Sequence, residues 1–267
     1  LCYSEVRENL MIEILKKLPK TNCGKCGELT CMAFALQVSH GKRKITDCPF
    51  APGEFSEKAS LKSPVTLVDN YGRVSDELEK ETRQMDFKKS AHAIGGFYEN
   101  RNGIETISLK LMDKIYEMRR EGLYENSEYC KDSWTKIIVY DYIRRMGNTP
   151  LSGNWVTLGN FRNTASHVKA FQRKAEEKIA DVFNNNLNGL KVRCNVLNGK
   201  EDQGEIKADY ICRFDLLPRI PLYLCFLEAD EEYQASCKLF LDSNAEDYID
   251  IEYLAYLVES FVELFVQ

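Results

Sequence analysis

Between residues 20 and 50 the chain reads KTNCGKCGELTCMAFALQVSHGKRKITDCPF, which sets Cys23, Cys26, Cys31 and Cys48 in a Cys-x2-Cys-x4-Cys-x16-Cys pattern closed by Pro49. Two thiolates two residues apart can turn onto one metal centre, and Gly24 and Gly27 beside them permit the tight, left-handed backbone that such a loop needs. Four thiolates suit either zinc or an iron–sulfur cluster, so ligand count alone does not choose. Spacing is more informative. Structural zinc sites usually come as two paired knuckles, whereas here Cys31 and Cys48 stand alone, and three close thiolates with one distant one is the way a cubane is commonly held. The pattern favours one 4Fe-4S cluster on Cys23, Cys26, Cys31 and Cys48, with zinc as the alternative.

Those thiols need elements to position them. The stretch LTCMAFALQVSH is rich in good helix formers and places Cys31 in the first turn of a short helix, whose amide dipoles favour an anionic ligand set. Pro49 fixes the chain direction after the last cysteine and removes an amide donor. Upstream, Val6, Leu10, Met11, Ile14, Leu15 and Leu18 recur every three or four residues, the stripe of an amphipathic helix ending at Pro19. Downstream, APGEFSEKASLKSP has the composition of a linker. The expected organisation is a helix with a cluster module over 1–52, a linker over 53–64, and an α+β domain over 65–267.

At 267 residues the chain can bury a core without staples, and 44% hydrophobic and 29% charged residues describe a globular protein. No run of 18 apolar residues predicts a membrane span, and the charges scattered through Leu1 to Leu18 are unlike a secretory signal, so the expected home is the cytoplasm. A net charge of −5 repels a phosphate backbone on average. The basic run from His40 to Lys44 reads as a solvated loop, so no nucleic-acid partner is expected. The six other cysteines, Cys2, Cys130, Cys194, Cys212, Cys225 and Cys237, are scattered and read as small core hydrophobes.

The remainder is expected to be a mainly antiparallel sheet covered by helices. Strand-like runs occupy 65–68, 105–111, 190–197, 209–217, 221–229 and 237–242, the last three forming a meander, and helical periodicity appears at 74–93, 133–146, 165–184 and 248–266. The paired glycines in HAIGGF, residues 92–97, mark a helix end rather than a dinucleotide loop. His92 and His167 fall on predicted helices and read as ordinary surface or core residues. The carboxylates of EADEEY, residues 228–233, read as a solvated turn, and Trp155 in PLSGNW as a loop anchor. A phosphate-binding loop, a radical-SAM cysteine triplet, a nucleophile elbow and a helical His-x3-His pair are all absent from the sequence, so its catalytic residues are unknown.

LPKTNCGKCGELTCMAFALQVSHGKRKITDCPF resembles the small 4Fe-4S module of the corrinoid iron–sulfur protein large subunit and of the Rnf complex B subunit. The resemblance implies a cluster-ligand role for Cys23, Cys26, Cys31 and Cys48. TPLSGNWVTLGNF and the stretch from FDLLPRIPLYLCF to DYIDIEYLAYL resemble an uncharacterised family of anaerobic bacteria and archaea that is often fused to this module. From these likenesses the expected function is single-electron transfer or a redox-accessory role, with a redox partner protein. A corrinoid protein in one-carbon metabolism is the special case. The Asp-x-His-x2-Gly loop that ligates cobalt in many corrinoid proteins is missing, so any corrinoid would be met on a partner. The alternatives are a reductive enzyme with its active site in the C-terminal domain, and a zinc-stabilised binding module.

Overall fold

The computed structural model describes residues 11–12, 14–39, 42–51, 67–165, 167–203 and 206–267. Two compact units divide the chain, Leu1–Asn70 and Tyr71–Gln267. The expected linker, His40, Cys2 and the stripe positions Val6 and Leu10 lie outside the described residues.

In the first unit, residues 11–12 and 14–17 are helical, in line with the apolar stripe. Ile14 and Leu18 from that stripe are buried against Cys31, Phe34, Ala35 and Cys48. Helix α1 (Cys31–Ser39) follows the cysteine loop, with Cys31 as its first residue as expected. Thr30 caps it by accepting the Ala33 amide at 3.0 Å. A single 3-10 turn, Ile45–Asp47, then delivers Cys48.

Helix α2 (Leu67–Arg83), which begins four residues before the second unit, and α3 (Phe87–Ile94) within it replace the single helix expected over 74–93. The break has a local cause, because the Asp86 side chain accepts the Lys89 amide at 2.9 Å and starts a new helix. Leu67 and Val68, expected in a strand, belong to α2 instead. Gly95 ends α3 in the left-handed conformation at φ 73°, so HAIGGF is a helix end.

A five-stranded antiparallel meander follows, with strands in chain order: β1 (Phe97–Arg101), β2 (Ile104–Leu111), β3 (Lys114–Arg119), β4 (Gly122–Glu125) and β5 (Glu128–Tyr129). Two-residue turns connect them, and both residues have positive φ at Asn102–Gly103 and at Asn126–Ser127, the turn geometry whose twist suits a hairpin. Helix α4 (Ser133–Arg145) then runs through the core, buried continuously from Lys136 to Ile143.

The second sheet has the order β6-β10-β9-β8-β7, again antiparallel: β6 (Trp155–Val156), β7 (Lys200–Glu201), β8 (Tyr210–Leu217), β9 (Ile220–Leu227) and β10 (Ser236–Asp242). The last three make the expected meander, β8 and β9 through the Pro218–Arg219 turn and β9 and β10 through the longer 228–235 loop. Between β6 and β7 runs a helical stretch over 168–182: α5 (Val168–Phe171), a π turn at Gln172–Glu176, and α6 (Glu177–Val182). The π turn brings the buried Glu176 carboxylate to β10, where it accepts from Lys238 Nζ at 2.7 Å and the Leu239 amide at 3.1 Å.

Residues 190–197, expected as a strand, are instead α7 (Leu187–Val196). Asn186 caps it through the Gly189 amide, and Leu190 and Cys194, one turn apart, are its buried pair. Helix α8 (Ile251–Phe265) covers the sheet, packing the tilted Phe261 ring and the Phe265 edge against Phe214 of β8. One core spans both sheets and their helices, and the Met112 amide donates to the Leu216 carbonyl at 2.7 Å where the sheets meet. The α+β class holds, with two sheets where one was expected.

Candidate iron–sulfur site

The path KTNCGKCG turns sharply because Lys20, Asn22, Gly24 and Gly27 all have positive φ. Asparagine and glycine tolerate that region, which explains their place beside the thiols. Asn22 also has a task that the sequence reading missed: its Oδ1 accepts the Cys31 amide at 2.8 Å, tying the start of the loop to the start of α1. The signal was available as an asparagine directly before the first cysteine. The Gly24 carbonyl accepts the Gly27 amide at 2.9 Å, closing the Cys-x2-Cys turn.

Cys31 and Cys48 are buried in the small core of the first unit, and Cys26 packs against it half-buried. Cys23 is exposed. The Lys25 backbone amide and then the Thr21 hydroxyl hold the Cys23 thiol below its ordinary range, which favours the thiolate that metals require. Three of the four cysteines therefore share one core and the fourth lies on the adjoining turn. Among the described residues no group of three or more His, Cys, Asp or Glu side chains stands where it could hold a single metal ion. The donor set fits a cluster chemically: four thiols, three of them on apolar surroundings, and no competing carboxylate beyond Glu28 and Asp47 in residues 14–51.

The same residues carry Lys16, Lys17, Lys20, Lys25, Lys42, Arg43 and Lys44, a strongly basic segment in a chain of net charge −5. Arg43 lies over the cysteine turn, where a Cβ at Gly27 would stand 3.1 Å from its Nη2. Lys25 lies over the Phe50 ring, 5.1 Å from its centre. Neither placement was legible from spacing.

In the second unit, Cys130, Cys194, Cys212, Cys225 and Cys237 are buried free thiols, as expected of core residues. Burial pushes the Cys225 thiol up to about 11. His92 and His167 are exposed. The EADEEY stretch is a turn in which Asp230 accepts the Glu232 and Tyr233 amides. Those two amides hold its carboxyl below the usual range. Trp155 packs on Tyr223 with ring centres 4.1 Å apart, as an anchor. The loop ahead of it is fastened by the fully buried Asp242, which accepts from the Ser152 amide and hydroxyl and from the Gly153 and Asn244 amides.

A crevice of about 210 Å³ opens between Met112, Leu197, Phe214 and Phe261, with Lys110, Lys200 and Asp215 at its rim. Lys200 already pairs with Asp215 at 3.2 Å. No histidine, cysteine, serine or tyrosine lines it. Among the described residues no helix is long and apolar enough to cross a membrane.

Residues 18–50 match the family described as "Putative Fe-S cluster". The corrinoid/iron-sulfur protein large subunit of Moorella thermoacetica is 38% identical over 74 residues, 27% of this chain and 17% of that protein. The acetyl-CoA decarbonylase/synthase complex subunit gamma of Methanosarcina acetivorans is 54% identical over 41 residues, 15% of this chain and 9% of the relative. Its counterpart in Methanothermobacter thermautotrophicus is 43% identical over 62 residues, 23% of this chain and 14% of the relative. The chain thus spans less than a fifth of the length of these relatives, and the resemblance to the Rnf B subunit rests on the motif alone. No solved structure matches the chain. Residues 86–264, more than half of the chain, match the domain of unknown function DUF3786, and the chain belongs to that family.

Proposed function

We propose that this is an iron–sulfur protein in which Cys23, Cys26, Cys31 and Cys48 hold one 4Fe-4S cluster, and that it serves as a single-electron carrier or redox accessory. The observation that carries the reading is the cysteine segment itself: a four-thiol pattern within the iron–sulfur match, with three thiols on one small core and the fourth on an exposed turn. A bound cubane supplies a one-electron couple whose potential depends on amide hydrogen bonds and exposure. The chain's own part is to supply thiolates, to bury one side of the site beneath Ile14, Leu18 and Phe34, and to leave the Cys23 side open.

The names of the relatives point to corrinoid-dependent one-carbon chemistry as the setting. There the chain would deliver electrons to a corrinoid held by a partner protein. The catalytic alternative draws on the crevice in the second unit. That crevice is smaller than the roughly 300–1,000 Å³ usual for ligand sites, and its rim lysine Lys200 is held in an ion pair with Asp215, which favours the electron-transfer reading.

The test is metal and sulfide analysis of the chain purified without oxygen, with visible and EPR spectra before and after dithionite. About four irons and four sulfides per chain, bleached by dithionite, are expected. Cys→Ser at Cys23, Cys26, Cys31 or Cys48 lowers the iron content and the visible band, whereas Cys225→Ala in the second unit leaves both unchanged. One zinc with no sulfide would replace this reading with that of a zinc-stabilised binding module.

A further inference from the structure

We propose that the outer face of the cysteine segment is a docking surface for a small acidic electron carrier. This rests on the electron-transfer reading and names its partner. Two independent features coincide there, one apolar and one electrostatic.

Helix α1 is apolar on more than one side. Its inner side carries Cys31, Phe34 and Ala35 into the core, while Met32 and Leu36, one turn apart on another side, are 56% and 42% exposed. Leu29, one turn before Met32 and between Cys26 and Cys31 in the chain, is 90% exposed. Phe50, two residues beyond Cys48, is 49% exposed. A single exposed leucine is ordinary. Large exposed apolar side chains within three residues of Cys26, Cys31 and Cys48 along the chain are the mark of a surface that a partner covers.

The charge around this face selects the partner. Lys20, Lys25, Lys42 and Lys44 are exposed, and Arg43 lies over the Cys26–Gly27 turn. A basic carrier would be repelled and an acidic one steered in, with the apolar residues forming the dry centre of the contact and the lysines its rim. A nucleic acid shares the charge preference but gains little from Leu29, Met32 and Leu36, which offer no stacking face to a base, and the Phe50 ring has Lys25 lying over it. A lipid surface supplies no electron. In the step itself one electron leaves the reduced carrier and one is taken up at the thiolate-bound iron, with no bond made or broken.

The experiment uses the full chain loaded with iron. Its binding to an acidic ferredoxin is titrated at several salt concentrations, beside cytochrome c as a basic protein and vesicles containing phosphatidylserine. Stopped-flow reduction by reduced ferredoxin and by dithionite is followed separately. Ferredoxin binding is expected to weaken as salt rises, and Lys42→Glu with Lys44→Glu to lower both ferredoxin affinity and reduction rate by roughly tenfold at low salt. The final extent of reduction by dithionite and the iron content stay unchanged, and the Lys42→Arg, Lys44→Arg pair keeps wild-type binding. Leu36→Gln weakens ferredoxin binding at every salt concentration. Absent or salt-independent ferredoxin binding, equal binding to cytochrome c, or binding confined to the vesicles overturns the docking proposal. A chain that takes up no iron refutes the electron-transfer reading itself, while an iron-loaded chain that ferredoxin ignores refutes the docking alone.

Discussion

Glu79 and Lys136 form an ion pair at 2.9 Å whose side chains are 10% and 7% exposed. Tyr140 donates to the same carboxylate at 2.8 Å, Arg83 also reaches it, and Lys136 donates to the Tyr129 hydroxyl at 3.0 Å. Burial alone would raise the Glu79 carboxyl. Hydrogen bonds from Lys136 and Tyr140, with the charges of Lys136 and Arg83, outweigh it and hold the group below its ordinary 4.5. A carboxyl depressed by folding contributes stability that is fully present above 4.5 and is lost as pH falls through the lower folded value. Among the described residues, Glu79→Gln leaves Lys136 with only Asp76 at 3.9 Å as a counter-charge. It is expected to cost about 3 kcal/mol near neutrality and to flatten the acid limb of the stability curve. Urea unfolding of both proteins over an acidic pH series checks this, and parallel curves would show that the carboxylate is not linked to folding. The residues that hold the cysteine loop were similarly hidden: Asn22 reaches nine residues along the chain to the Cys31 amide.

At the scale of elements, α7 is the sharpest departure from what local composition suggests. Leu190, Val192, Cys194 and Val196 would share one face of a strand, since side chains alternate with period two. In the helix, Leu190 and Cys194 are fully buried, whereas Val192 and Val196 are 62% and 61% exposed. The two geometries therefore predict opposite mutational patterns. Leu190→Ala should cost about 2–5 kcal/mol through the cavity it leaves. Val192→Ala should change stability by no more than about 0.5 kcal/mol, as an exposed site does. Comparable losses at both positions in chemical denaturation would contradict the helix. The signals for the helix were present in the Asn186 cap and in the Asn198–Gly199 stop, but valine and cysteine read locally as β-formers. In the first meander β2 corresponds to the expected run 105–111, whereas its other strands went unread for the opposite reason. YEN, KIYEMR and GLYE are short and charged, so their burial pattern exists only once neighbouring strands and α4 are in place.

For the whole molecule, the two units rest on very different amounts of buried surface. Among the described residues, the buried core of the first unit consists of Ile14, Leu18, Cys31, Phe34, Ala35 and Cys48, and two of these six are proposed ligands. The second unit has a continuous core drawn from two sheets and the helices α3, α4, α7 and α8. A core this small is expected to draw its order from the proposed cluster, which the large one does not need. Removing iron by chelation is expected to speed amide hydrogen exchange across residues 18–50 by at least about tenfold, since metal binding is folding free energy in such units. The main thermal transition of the second unit should stay within about 2 °C. Exchange in the cysteine segment that ignores iron removal would argue against the cluster as its organiser.

The sequence alone determined the cysteine pattern and the start of α1. It also determined the helix end at Gly95, the closing meander β8-β9-β10 and the last helix, because each depends on spacing, capping or periodicity within a short stretch. Tertiary structure decided which valines face the core, the division of the strands into two sheets, the partners of Glu79 and Asp242, and the exposure of Leu29, Met32 and Leu36 beside a basic rim. Those depend on which distant segments remove water from a side chain. Asp242 of β10 becomes the anchor of a loop about ninety residues earlier only when the sheet brings its carboxylate to the amides of Ser152 and Gly153.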